Sequence, residues 1–139
     1  MSGNQTVVLR SNKVKANTAD AQSQTMKYKL PTNAEVMVAL ADKGYFAFNQ
    51  IDLTNIKRLS VMAFSSKEQT TGGKLELRLG AVNGQIIGEG TIDQGKIGTI
   101  NLDINQPVAG LQDIYFVFTN STPVMGKALY AIDTITFEK

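Results

Sequence analysis

The chain has no cysteine, no histidine and no tryptophan. Without thiols there can be no disulfide, no thiolate metal site and no cysteine nucleophile. Without imidazole, the commonest general base, the commonest transition-metal ligand and every histidine-built triad are excluded. Any catalysis would have to run on carboxylates, lysines, tyrosines and hydroxyls. An excess of one charge sign is also missing: 14 basic and 12 acidic residues leave a net +2 scattered along the chain. No Lys/Arg stripe of the kind that neutralises several phosphates at once is present, so a nucleic-acid partner is not expected. No apolar run approaches the length needed to span a bilayer. Met1-Ser2-Gly3-Asn4-Gln5 lacks the charged-then-apolar pattern of a secretion signal and reads as a short polar leader.

What is present is a globular composition, 42% apolar and 19% charged over 139 residues. That is the size of one domain, whose single core would bury roughly two-thirds of the unfolded chain's surface. Lys74-Leu75-Glu76-Leu77-Arg78-Leu79 alternates strictly, three leucines against three charges, which predicts a half-buried strand. Asn83-Gly84 follows, then Ile86-Ile87, a pattern that predicts a hairpin through a type I′ turn. Further strands are expected at Thr6–Arg10, Tyr45–Phe48, Arg58–Phe64, Gly98–Ile104, Ile114–Thr119 and Leu129–Phe137. Asp42-Lys43-Gly44, Gly72-Gly73, Gly95, Gln106-Pro107 and Asn120-Ser121-Thr122-Pro123 separate them, as turns rather than helix caps. Ile114–Phe118 is apolar on both faces and suits a central strand. Residues 16–25, rich in small polar side chains, are expected to form a long loop or a short helical turn. Many short strands without helical periods predict an all-β sandwich or barrel.

Three passages, in order, resemble the family 6 carbohydrate-binding modules. Asp42-Lys43-Gly44-Tyr45-Phe46-Ala47-Phe48-Asn49-Gln50-Ile51-Asp52-Leu53 is similar to the family's glycine, aromatic strand and Val/Ile-Asp-Leu segment. Gly73–Leu79 with Asn83–Gly88 resembles its long hairpin. Gly110–Phe118, followed by Ile132-Asp133 and Phe137, resembles its Gly-x-His-Asp-Leu-Tyr-Leu-x-Phe strand and closing Asp-x-x-x-Phe. The resemblance implies a jelly-roll β-sandwich of two antiparallel sheets over residues 1–139, cut from a larger protein. It also implies a non-catalytic module joined to other domains of a secreted, extracellular or periplasmic carbohydrate-active protein, with a poly- or oligosaccharide as partner and usually a structural calcium.

Sugar recognition needs a flat aromatic to stack on and polar groups to read the hydroxyl rim. At the family's loop-end site, the first stacking ring falls on Leu40, the second near Lys96 and the asparagine on Ala131. All three expected contacts are missing, so that site reads as degraded. The remaining candidates for sugar contact are Lys96, Tyr28, Tyr130 and Asn120; Tyr45 and Tyr115 are expected to serve strand packing. For calcium, the family's Glu-Ala-Glu is replaced by Lys15-Ala16-Asn17. Asp133 matches the C-terminal ligand and Asn17 offers a carbonyl oxygen, yet a cation in place of a carboxylate weighs against the metal. Glu76, Glu89, Asp93 and Asp103 read as a solvated sheet face rather than a glycosidase pair. Two functions stay open: a carbohydrate-binding accessory domain, or a structural, protein-contact sandwich that no longer binds sugar.

Overall fold

A computed structural model describes residues 13–16, 19–29, 35–65, 70–105, 108–120 and 128–138. They form two antiparallel sheets packed face to face. One sheet contains β1 (Lys13–Lys15), β3 (Thr25–Lys29), β4 (Glu35–Ala39), β6 (Arg58–Phe64), β9 (Ile97–Asp103) and β11 (Tyr130–Glu138). The other contains β2 (Ala21–Ser23), β5 (Tyr45–Asp52), β7 (Gly73–Leu79), β8 (Gln85–Ile92) and β10 (Leu111–Thr119). Their orders are β3-β4-β11-β6-β9, with β1 also on β11, and β2-β5-β10-β7-β8. Neighbours in space are mostly distant in sequence, as in a jelly-roll sandwich. The all-β expectation therefore holds.

Period-two alternation decides which residues face inward. Leu59, Val61 and Ala63 of β6, Leu75 and Leu77 of β7, and Ile114, Phe116 and Phe118 of β10 are buried, while their neighbours along each strand face outward. The centre of the core is aromatic. Phe46 lies parallel to Phe116 with ring centroids 4.8 Å apart, Phe48 meets Phe116 edge-on at 6.2 Å, and Tyr130 meets Phe118 edge-on at 5.7 Å. Such offset and edge contacts add to the area these rings bury.

Several expectations need correction. The hairpin joins β7 to β8 with Leu79 opposite Gln85, but Asn83 and Gly84 do not supply positive φ; Gly80 does, at +80°. Gly84 is required for a different reason: a Cβ there would lie 1.8 Å from the Leu79 carbonyl oxygen. In the segment expected to be a long loop or short helical turn, the Ala19 N–H donates to the Ala16 carbonyl at 3.2 Å, three residues back, but the segment also holds β2 and the start of β3. These short strands complete sheet edges and lack the apolar density that marks a central strand. β1 and β4 are strands beyond those the sequence predicts. The predicted strand Thr6–Arg10 and the turn at Gln106-Pro107 lie outside the described residues. Among the described residues no helix is long and apolar enough to cross a membrane.

Candidate functional site

Among the described residues, chemistry-bearing side chains gather in the turns at one end of the sandwich, on the outer face of the five-stranded sheet, and on the six-stranded sheet, where Arg58 Nε donates to Asp103 Oδ1 at 2.8 Å and Ser60 Oγ to Glu138 Oε2 at 2.6 Å. At the loop end, residues 40–43, 70–72, 93–96 and 119–120 converge through hydrogen bonds. The Asn120 amide N–H donates to Asp42 Oδ1 at 2.7 Å. Asn120 Nδ2 donates to Thr71 Oγ1 at 2.9 Å and to the Gly72 carbonyl at 3.1 Å, and Gln94 Nε2 donates to the Thr70 carbonyl at 3.0 Å. Asn120, expected to read a sugar rim, thus spends its amide protons knitting turns together. Gly72, at φ +78°, permits this closeness, since a Cβ there would lie 2.5 Å from the Ile92 carbonyl oxygen.

The other sequence candidates disperse. The Lys96 side chain is exposed, its N–H donates to the Asp93 carbonyl at 3.1 Å, and its carbonyl accepts from the Ser65 N–H at 2.8 Å. Leu40 is 38% exposed at the same end and brings apolar contact without a ring. Tyr28 is 51% exposed on edge strand β3, on the outer face of the six-stranded sheet. Ala131 lies on that same outer face, between Val38 and Phe64. Tyr130 must be corrected: its ring is fully buried among the core aromatics, and its hydroxyl donates to the Lys74 carbonyl at 2.7 Å. It has no face to offer a ligand. Burial first, and then the negative charge of Glu76, push its phenol well above the ordinary tyrosine range.

The outer face of the five-stranded sheet carries what the sequence reading assigned to packing. Two rows of residues in register cross it. One runs Ser23, Tyr45, Val117, Glu76, Glu89; the next runs Ala21, Ala47, Tyr115, Arg78, Ile86. Tyr45 and Tyr115 therefore stand diagonally on neighbouring strands, centroids 5.5 Å apart and planes inclined at 54°, both partly exposed. Beside them stand the small residues Ser23, Ala21 and Ala47, the last fully buried.

On the other side the ions are locked in place. Arg78 Nε and Nη2 both donate to Glu76 Oε1, at 3.0 and 2.6 Å, and Nη1 donates to the Gly84 carbonyl at 2.9 Å. The guanidinium is thereby fixed in the row that contains Tyr115, a planar donor array next to a ring. Glu76 and Glu89 face each other across β7 and β8, a like-charge pair that Arg78 and Lys74 offset, Lys74 Nζ lying 3.0 Å from Glu89 Oε1. That hydrogen bond, then the charge of Glu89, raises the Lys74 pKa above its ordinary value. Two inclined rings beside a fixed guanidinium and carboxylate meet the chemical needs of sugar binding: apolar faces for C–H bonds, and donors and acceptors for hydroxyls. One signal for this platform was legible, since Tyr45, Tyr115, Glu76 and Arg78 share the outward phase of their strands. The diagonal placement of the rings depends on a cross-strand register that a single sequence does not display.

Asp133 and Lys15 form an ion pair on the six-stranded sheet, while Asn17 lies outside the described residues. Among the described residues no three acidic side chains cluster as metal ligands would. Calcium takes six to eight oxygens, and here a tethered ammonium already lies against the one carboxylate. The described residues do not fit the ion.

Residues 15–139 match the family described as carbohydrate binding module (family 6). No curated protein matches the chain in sequence. Among solved structures, an arabinoxylan arabinofuranohydrolase of glycoside hydrolase family 43 from Bacillus subtilis, in complex with cellotetraose, superposes with a TM-score of 0.78 at 20% identity. The match covers 93% of this chain and 27% of that enzyme, so the chain spans about a quarter of its length. A family 6 carbohydrate-binding module from Clostridium cellulolyticum, in complex with xylose, gives 0.76 at 19% identity over 93% of this chain and 98% of that one. A carbohydrate-binding module of family 36, in complex with calcium and xylotriose, gives 0.67 at 20% identity over 91% and 98%. At these identities the likeness establishes the shared fold.

Proposed function

Because the chain belongs to the family 6 carbohydrate-binding modules, we propose that it holds an oligo- or polysaccharide on the outer face of its five-stranded sheet and acts as a non-catalytic accessory domain of a larger secreted protein. The observation that carries this reading is the partly exposed Tyr45–Tyr115 pair beside the immobilised Arg78–Glu76 ion pair. The rings supply stacking surface. Arg78, already held on three bonds, loses little freedom when a hydroxyl approaches, which favours binding by preorganisation. The loop end supports the same choice by contrast, because Leu40 and Lys96 bring no ring there and Asn120 is turned inward.

The relatives were solved with xylose, xylotriose and cellotetraose, so xylo- and cello-oligosaccharides are the first ligands to try. In isothermal titration, Tyr45→Ala or Tyr115→Ala should weaken binding by about tenfold, roughly the loss of one aromatic contact of about 1.4 kcal/mol. Both side chains point outward, so the melting temperature should change little. Binding that survives both substitutions places the sugar elsewhere. A second reading, a structural or protein-contact sandwich, draws on the absence of rings at Leu40, Lys96 and Ala131; a wild-type protein silent across a broad glycan array would favour it.

A further inference from the structure

Asp133 occupies a weak point in the six-stranded sheet. Along one side of β11, β4 pairs with Tyr130, Ala131 and Ile132, and β1 takes over at Thr134. Along the other side, the register with β6 jumps between Ile132 and Ile135, so Asp133 and Thr134 together face the single residue Met62. Asp133 is thus the residue where one neighbouring strand gives way to another, opposite a bulge. Lys15, the last residue of β1, reaches this seam and its ammonium pairs with the Asp133 carboxylate.

We propose that Lys15 is a built-in counter-ion that joins β1 to β11 at this seam, replacing a bound divalent cation, so that the fold is indifferent to calcium. The proposal is independent of where sugar binds. Two observations support it beyond the ion pair. The side chains of Lys15 and Asp133 are 42% and 23% exposed, and Asp133 lines a hydroxyl-rich groove of about 290 Å³ with Ser60, Thr99, Thr134 and Thr136. Solvent ions can therefore reach the carboxylate, and steric exclusion does not decide the outcome. Ligand chemistry decides it: among the described residues calcium would find one carboxylate and neutral hydroxyls where it favours several anionic oxygens, and would have to displace an ammonium held at high effective concentration by β1.

The test is thermal unfolding in excess calcium and in chelator for the wild type, Lys15→Met, Lys15→Glu, Asp133→Asn and the double variant K15M/D133N. The wild type should melt at one temperature in both buffers. Lys15→Met should melt about 3 °C lower in both, the shift expected for a partly exposed pair. The double variant should melt no lower than the worse single variant, because the two residues act as one unit. Lys15→Glu, which restores a second carboxylate, should melt lower in chelator and recover in calcium. A wild-type melting temperature that rises with calcium and loses that rise in Asp133→Asn would overturn the proposal. So would a Lys15→Met protein that melts with the wild type, or a folded Lys15→Glu protein blind to calcium. Should Lys15→Glu fail to fold, the wild-type and Lys15→Met melts still decide.

Discussion

The two sheets share one core but have different outer faces. On the six-stranded sheet a single register row runs Met26, Val38, Ala131, Phe64, Ile97, apolar from edge to edge. Ile97 at its end is 72% exposed. On the five-stranded sheet the equivalent rows pair rings with ions and small residues. Both faces expose apolar area, so exposure alone does not separate them. What separates them is the placement of two rings in the same rows as groups able to hydrogen-bond a hydroxyl at fixed positions. The row Met26 to Ile97 has none itself, and the polar groups of the six-stranded sheet, Asp133, Ser60 and Thr136 among them, lie in other rows; Tyr45 and Tyr115 have Arg78 and Glu76 in their own rows.

The comparison depends first on the core that fixes both faces, and the largest effect is expected there. Phe116 is fully buried, stacked on Phe46 and met edge-on by Phe48. Phe116→Ala should lower stability by about 3–5 kcal/mol through lost burial plus cavity, read from denaturant unfolding. Because β10 places Tyr115 next to Phe116, sugar affinity should fall with it. Intact affinity in a destabilised protein would show that the outer face is insensitive to the rings beneath it.

How far the sequence anticipates this arrangement varies with the kind of information each feature needs. Strands β6 and β7 follow from local alternation, because a period of two is written into nearby residues such as Leu75, Leu77 and Leu79, and β10 follows from the unbroken apolar run Ile114–Phe118. β2 and β3 escape such a reading because a short edge strand like Ala21–Ser23 draws its identity from the strand it pairs with, whereas β4 lies inside its sheet and its run Val36-Met37-Val38-Ala39 is a readable signal. The sites divide in the same way. Tyr45 and Tyr115 could be read as outward-facing, but their 5.5 Å approach joins residues 70 positions apart through the Val117–Tyr45 register. Tyr130, near a predicted turn, was a plausible sugar contact by position; the core claimed it, and its hydroxyl found a carbonyl.

The next effects sharpen the difference between the faces. Arg78→Ala removes both bonds to Glu76 and leaves a carboxylate whose side chain is only 13% exposed without its guanidinium. The loss should be about 1–2 kcal/mol, between the values for surface and buried pairs. Sugar affinity should drop about tenfold or more. Tyr130→Phe should cost about 1 kcal/mol for the lost hydrogen bond, and its pH dependence gives a cleaner signal. The folded phenol has a raised pKa, so its contribution is complete below the unfolded value near 10 and is lost as pH climbs toward the folded value. The stability gap between wild type and Tyr130→Phe should therefore shrink and then reverse above about pH 10, measured by unfolding at stepped alkaline pH. A gap constant through that range would show that the phenol ionises without cost.

The smallest effect is expected on the aliphatic face. Tyr28 is the one exposed tyrosine there, and it projects from edge strand β3 opposite Val36. If a lone ring sufficed for sugar binding, Tyr28 would compete with the Tyr45–Tyr115 pair. It stands instead at a sheet edge with Val36 as its cross-strand neighbour and no second ring in register with it. Tyr28→Ala should change stability by about 0.5 kcal/mol or less, as for surface positions generally, and leave oligosaccharide titrations superimposable on wild type. A tenfold loss from Tyr28→Ala, with Tyr115→Ala neutral, would exchange the roles of the two faces. Recognition would then rest on stacking alone, without the ion pair that distinguishes the five-stranded sheet.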